Sequence, residues 1–227
     1  MQNPNINSRV SIDVDDAQVG QVQFELQPIV RTNCLVARGF ELLFRGPSTM
    51  DWIDVDRAAL NYVRAHKLDH TTLFVNLANE SLMSIPTDEF VSTAGGRKVV
   101  FEISESHSEH MPYSQIADKV NELIELGFHF AIDDFGSGRD GLKRIYSIKR
   151  ASVIKIDRLF VRQSMSRSDA ANVLRLLVAQ WKASGIQVVM EGVENAAILD
   201  FAKDIGADLV QGWHVDTIIA DRVMQAA

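Results

Sequence analysis

Asp133 and Asp134 stand side by side at the end of an apolar run, Phe128 to Ile132, and are followed by Phe135-Gly136-Ser137-Gly138. Adjacent carboxylates repel, and a divalent cation is one counter-charge that makes such a pair useful, with Asp133 able to bridge two ions. An Asp after a strand can equally cap a helix or open a turn, so the pair alone does not decide. The pattern recurs, however. Asn76, Glu102, Lys155, Glu191 and Gln211 each follow a short apolar run, and Glu41 interrupts the apolar side of another that Arg45 closes. Lys and Gln are poor helix caps, so capping does not explain the set. Glu41, Glu102 and Asp133, with the amide oxygen of Asn76, make a hard, all-oxygen site suited to Mg²⁺ or Mn²⁺ rather than Zn²⁺, and Asp134 would help to hold a second ion. Two such ions about 3.5–4 Å apart clamp the oxygens of an in-line phosphoryl displacement and acidify a bridging water. Lys155 is then either a base with a depressed pKa or a cation that orients water and phosphate. Arg45 can grip a phosphate oxygen.

The elements that would carry these groups alternate. Residues 1–21 are polar, with Asp13, Asp15 and Asp16, and read as a flexible lead-in; residues 22–227 read as one domain. Val22–Val30 and Val36–Phe44, joined at Thr32-Asn33, read as a β-hairpin. Asp54 is expected to cap a helix running to His66. Strand-like runs at Thr72–Val75, Lys98–Phe101, Phe128–Ile132, Ser152–Ile154, Ile186–Met190 and Ala207–Val210 are then separated by helical stretches. Those stretches lie near Glu80–Ala94, Tyr113–Leu126, Leu142–Tyr146, Asp169–Ala183, Asn195 to Gly206, and Ile218 to the end. In the Asp169–Ala183 helix, Val173, Leu176, Leu177 and Gln180 are expected to face the core. Such alternation predicts an α/β fold, a modified (β/α)8 TIM-like barrel with an N-terminal hairpin, whose strand ends converge on one mouth.

Composition narrows the function. The net charge of −7 argues against a surface for nucleic-acid polymers, whereas a small anion is compatible if metal ions supply the positive field. Cys34 is the single cysteine, which excludes an intrachain disulfide and a thiolate metal site. No basic-then-apolar leader and no membrane-length apolar run is present, so a cytoplasmic protein without membrane contact is expected. His107 and His110 lie in a polar stretch and read as solvated; Trp213 either stacks on a base or packs at the rim; Asp157 is expected to cap the following helix; Arg139 and Arg144 read as exposed.

Seven segments in order resemble a known family: Glu41-Leu42-Leu43, Val75-Asn76-Leu77, Phe101-Glu102-Ile103-Ser104-Glu105-Ser106, Asp133-Asp134-Phe135-Gly136, Lys155-Ile156-Asp157, Glu191-Gly192-Val193-Glu194 and Gln211-Gly212. They resemble the motif set of EAL-domain cyclic di-GMP phosphodiesterases, over about Phe24 to Trp213. The resemblance implies a barrel whose first strand runs antiparallel to the others, and hydrolysis of cyclic di-GMP to linear pGpG with two Mg²⁺ or Mn²⁺ ions. By the same resemblance Glu41, Asn76, Glu102 and Asp133 would hold one metal and Asp133 and Asp134 the second. Lys155 would position or deprotonate the attacking water, Glu191 and Gln211 would serve the metal and water network, and Glu105 would steady the loop after the Asp pair. Gln27 and Arg45 would touch substrate. A homodimer is expected. The segment departs from the family in having Leu42 for the signature alanine, Arg139-Asp140-Gly141-Leu142 after the Asp-pair loop, Trp213 for a tyrosine, and a shorter stretch between Arg45 and Asn76. The alternative on the same barrel is a catalytically silent cyclic di-GMP receptor or protein-interaction module.

Overall fold

The computed structural model describes residues 10–16, 20–47, 49–66, 71–103, 112–138 and 141–226. The hairpin expected from the sequence forms as β2 (Gly20–Arg31) and β3 (Ala37–Phe44), joined by a turn over 32–34. From β3 the chain alternates: β4 (Thr72–Leu77), β5 (Val99–Ile103), β6 (His129–Phe135), β7 (Val153–Ile156), β8 (Gln187–Met190) and β9 (Leu209–Val210) each pair in parallel with the strand before. The ring closes where β9 pairs antiparallel with Val30 and Arg31 of β2, so β2 to β9 make a closed barrel in which β2 alone runs against the rest.

Residues 10–16, expected to lie in a loose lead-in, instead form β1 (Val10–Asp16), antiparallel to β2. Strand β2 is long enough to serve three partners. Strand β3 takes one of its edges, while β1 pairs residues 20–26 and β9 pairs residues 30–31. Alternating Val and Ile in a polar background gives residues 10–14 a β pattern that the acids had obscured.

Helices cover the outside: α1 (Trp52–Ala65), α2 (Asn79–Ser84), α3 (Thr87–Ala94), α4 (Tyr113–Glu125), α5 (Gly141–Ser147), α6 (Arg158–Met165), α7 (Ser168–Ala183), α8 (Ala196–Ile205) and α9 (Trp213–Ala226). Asp51 caps α1 through the Ile53 amide at 2.9 Å, in place of the expected Asp54. The stretch near Glu80–Ala94 divides because Pro86 cannot continue a helix; it stands instead as the cap residue of α3. Asp157 caps α6 as expected, accepting from the amides of Leu159 and Phe160, and Asn195 caps α8. Gly206 ends α8 at φ 86°, the left-handed stop that glycine permits. Helix α9 begins at Trp213 rather than Ile218, because the chain turns directly after β9 and the Asp216 amide already donates to the Gly212 carbonyl. Helix α7 turns a different stripe inward from the one expected. Leu174, Val178 and Trp181 are buried and Leu177 packs against the core as expected, whereas Val173, Leu176 and Gln180 are exposed. The two stripes lie one residue apart, and Trp181, edge-on to Phe135 at 4.9 Å, anchors the other one. No helix among the described residues is long and apolar enough to cross a membrane.

Two cores result. The larger lies between helices and strands. The smaller, Ile29, Phe74, Val100, Ala131, Val153, Val189 and Leu209, takes one residue from every barrel strand except β3 and plugs the interior. On β3 the equivalent position is Gly39, where a Cβ would come within 2.5 Å of the Thr72 carbonyl and 2.9 Å of the Phe74 ring.

Arg144 corrects a reading made from sequence alone. It is fully buried, donates to the carbonyls of Ile103 at 2.7 Å and Asp133 at 3.3 Å, and lies 6.0 Å from the Tyr113 ring centroid. It therefore ties the ends of β5 and β6 together from behind. Replacing it would bare buried carbonyls, so Arg144→Met is expected to lower stability by about 2–4 kcal/mol in urea denaturation of the metal-free protein. An unchanged midpoint would show that those carbonyls find other partners.

Candidate functional site

Side chains alternate along a strand, so a residue two positions beyond an interior one also points inward, one layer nearer the mouth. The apolar plug therefore dictates what lines the mouth. Two residues past Phe74, Val100, Ala131, Val153, Val189 and Leu209 stand Asn76, Glu102, Asp133, Lys155, Glu191 and Gln211. On β3 the same step from Gly39 gives Glu41, and on antiparallel β2 the step backward from Ile29 gives Gln27. Parallel register brings them level, with Asn76 opposite Glu102.

Asp134 breaks that rule and still reaches the site. Between the pairs Ile132–Ile154 and Phe135–Ile156, β6 carries Asp133 and Asp134 while β7 carries only Lys155. This is a bulge, and it re-aims the second acid, which simple alternation would send to the outer face. Asp134 takes φ 55°, a left-handed conformation that Asp tolerates better than most residues. One carboxylate oxygen from each of Asp133, Asp134 and Glu191 lies within 4.8 Å of the others, an arrangement able to hold a cation. Glu191 thus sits with the Asp pair.

At the centre is Lys155, 1% exposed. Its Nζ lies 3.1 Å from Glu41 Oε2, 3.0 Å from Glu102 Oε1, 3.2 Å from Asp133 Oδ1 and 2.8 Å from Glu191 Oε1. An ammonium has three hydrogens and cannot serve four carboxylates fully. Lys155 donates to Glu102 through Oε2 at 3.1 Å, and Glu102 Oε1 and Asp133 Oδ1 are left buried without a hydrogen bond. Burial works against the charged lysine, but Asp133, Glu102, Glu191 and Glu41 more than offset it and hold its pKa well above the usual range. The acids divide. Burial would raise Glu41, yet Lys155, Gln211 and Asn76 bring it below the ordinary carboxylate value. Burial and then the Glu41 charge push Glu102 well up. Burial lifts Glu191 to about 8, and burial with the neighbouring Asp133 lifts Asp134 to about 6.

Hydrogen bonds orient the Glu41 carboxylate. Asn76 Nδ2 donates to Oε1 at 2.8 Å, and Gln211 Nε2 donates to Oε2 at 2.7 Å. Gln211 Nε2 also donates to Gln27 Oε1 at 3.1 Å, and Gln27 Nε2 donates to Asp216 Oδ2 at 3.0 Å. Asp216, which the sequence did not single out, is buried on α9 and when ionised can only accept. It therefore fixes which end of the Gln27 amide faces Gln211, and through Gln211 fixes Glu41. Arg45 is not drawn into this group; its Nε pairs with Glu25 Oε2 at 2.7 Å. Trp213 projects outward, 70% exposed, and is not packed at the rim. Glu105, Arg139, His107 and His110 lie outside the described residues.

The donor set fits divalent metal. Five carboxylates, Glu41, Glu102, Asp133, Asp134 and Glu191, face one ammonium, and buried oxygens are left over after it. Every available donor is a hard oxygen, as Mg²⁺ or Mn²⁺ requires.

The chain resembles known proteins in both sequence and fold. Cyclic di-GMP phosphodiesterase RocR of Pseudomonas aeruginosa is 34% identical over 115 residues, 51% of this chain and 29% of RocR. Cyclic di-GMP phosphodiesterase PdeF of Escherichia coli is 32% identical over 117 residues, 51% of this chain and 15% of PdeF, so the chain spans well under half of either relative. Among solved structures, Klebsiella pneumoniae BlrP1 with manganese and cyclic di-GMP superposes with TM-score 0.72 at 23% identity, covering 92% of this chain and 60% of that one. A standalone EAL protein of Vibrio cholerae bound to cyclic di-GMP gives 0.70 at 22%, covering 84% and 89%, and both likenesses establish the barrel. The family model of the EAL domain matches residues 54–217, and with the barrel and the order of its strand-end residues this assigns the chain to the EAL domain family.

Proposed function

We propose that this chain is a phosphodiesterase that opens one phosphodiester of cyclic di-GMP to give linear pGpG, using Mg²⁺ or Mn²⁺ and acting in the cytoplasm. The observation that carries the proposal is the gathering of carboxyl groups from several strands around the single ammonium of Lys155 at the barrel mouth, with buried carboxyl oxygens left without a hydrogen bond. The family relatives named for this activity support the choice of ligand.

Asp133, Asp134 and Glu191 would hold one cation, and Glu41, Asn76 and Glu102 with Asp133 the other. Bound there, the ions would acidify water and polarise the phosphodiester. Lys155 stays protonated among its carboxylates, which favours the orienting role over that of a base. Held on four sides, its ammonium has a fixed position from which to direct a water or a phosphate oxygen. Glu41 keeps its charge because Asn76 and Gln211 donate to it, and Gln27 and Asp216 keep Gln211 turned that way. Arg45, more exposed and beside Glu25, would meet a substrate phosphate by exchanging that partner. A homodimer belongs to the same proposal, and the exposed Val173 and Leu176 on α7 offer apolar surface for it.

Purified protein with Mn²⁺ or Mg²⁺ should convert cyclic di-GMP to pGpG, followed by chromatography of the products. Lys155→Met is expected to lower kcat by about 10²–10⁴-fold. Tight binding without turnover in the unaltered protein would establish the silent-receptor alternative instead.

Proton linkage gives a second expectation. Glu191 is raised from 4.5 to about 8, so between these values the folded metal-free chain binds more protons than the unfolded chain. Metal-free stability should therefore fall as pH rises through that window. A cation must displace those protons, so Mn²⁺ should bind more tightly and raise the melting temperature more at pH 8 than at pH 6. Thermal melts with and without Mn²⁺ across this range test it, and a Mn²⁺ shift independent of pH would refute it.

A further inference from the structure

The opposite end of the barrel carries a second concavity. A cavity of about 990 Å³ opens where the parallel strands begin, and it reaches the back of the apolar plug at Phe74, Val100 and Val153. Its charge runs against that of the molecule. The chain has 30 Asp and Glu against 23 Lys and Arg, yet among the described residues lining this cavity there is no carboxylate. The lining instead supplies Arg38, Arg97, Lys98, Lys149 and Arg150, with His129 beside them.

These cations are only partly committed. Lys149 pairs with Glu125 at 2.5 Å on the exposed surface, Arg97 donates to the Arg64 carbonyl at 2.7 Å, and His129 Nδ1 lies 3.0 Å from Ser152 Oγ. Among the described residues, Arg38 and Arg150 have no ion-pair partner. Like charges gathered around a concavity repel one another, and the low-dielectric wall behind them concentrates their field into the opening. A single inorganic anion would use the rim and leave the apolar wall bare. A ligand with a multiply charged head and an apolar or aromatic body uses both.

We propose that this cavity is a binding site for an organic phosphate of nucleotide size, its phosphates held by Arg38, Arg150 and the neighbouring cations and its body laid against Phe74, Val100 and Val153. The site is independent of the acidic mouth, which repels anions until metal fills it. Occupancy would press a ligand on the inner face of the plug whose outer neighbours are the strand-end residues of the mouth.

Calorimetric titration of the full chain in EDTA tests this, with GTP as probe and with pyrophosphate and guanosine as separate arms. GTP is expected to bind more tightly than either part. The double variant Arg38→Ser/Arg150→Ser, checked for an unchanged circular dichroism spectrum and melting temperature, should weaken GTP by at least about tenfold. Glu41→Gln at the other mouth should leave GTP affinity unchanged. No GTP binding up to about 5 mM would overturn the site, as would binding that survives the double variant. Pyrophosphate binding as tightly as GTP would overturn the role of the apolar wall, and guanosine binding as tightly would overturn that of the cations.

Discussion

A single buried ammonium surrounded by carboxylates governs the architecture of the mouth. Lys155 brings one positive charge to four acids within 3.2 Å, and the rest is met by protons, taken up where burial raises Glu102 and Glu191, or by cations that displace them. Burying such a cluster is costly, because desolvation of each ion is only partly offset by its neighbours. The fold tolerates it by surrounding it with directed donors. Asn76 and Gln211 supply partial positive charge to Glu41, and the Arg144 guanidinium brings a full one behind the carbonyls of β5 and β6. The site is in this sense built for cations before any arrives, the preorganisation on which electrostatic catalysis depends.

Much of this was legible in the sequence, for a geometric reason. In a barrel the strand ends converge, and strand ends are the features that apolar runs mark most clearly. Asn76, Glu102, Asp133, Lys155, Glu191 and Gln211 could therefore be found one run at a time. What escaped depends on contacts that local pattern does not carry. Asp216 lies 189 residues from the Gln27 amide it orients. Arg144 sits on a helix whose sequence gives no sign that a guanidinium fills its inner face. The inward stripe of α7 lies one residue beyond the one expected, which shares Leu177 with the core, because Val173, Leu177 and Gln180 repeat with the same spacing as Leu174, Val178 and Trp181 and only the seat for Trp181 against Phe135 separates them. The buried plug adds one rule that the sequence lacked: a step of two residues from it toward the mouth reaches Gln27 and Glu41 as well as the others.

The Asp pair shows how a local irregularity enlarges what a regular sheet can present. Alternation allows one side chain per strand in a layer, and the bulge in β6 yields two. Its local cost is a non-glycine residue at φ 55°, of order 1 kcal/mol. In return three oxygens from Asp133, Asp134 and Glu191 gather in the space of one ion.

The seam between β2 and β9 has a bearing on how the protein is made. Glu191, Gln211 and Asp216 leave the ribosome some 150 residues or more after Gln27 and Glu41, so the ring stays open until the strands between them have been made. Closing so large a loop is entropically slow, and until it happens β2 exposes the edge that β9 will occupy. Assembly of the acidic mouth consequently waits on the same step that hides the last free edge of the ring.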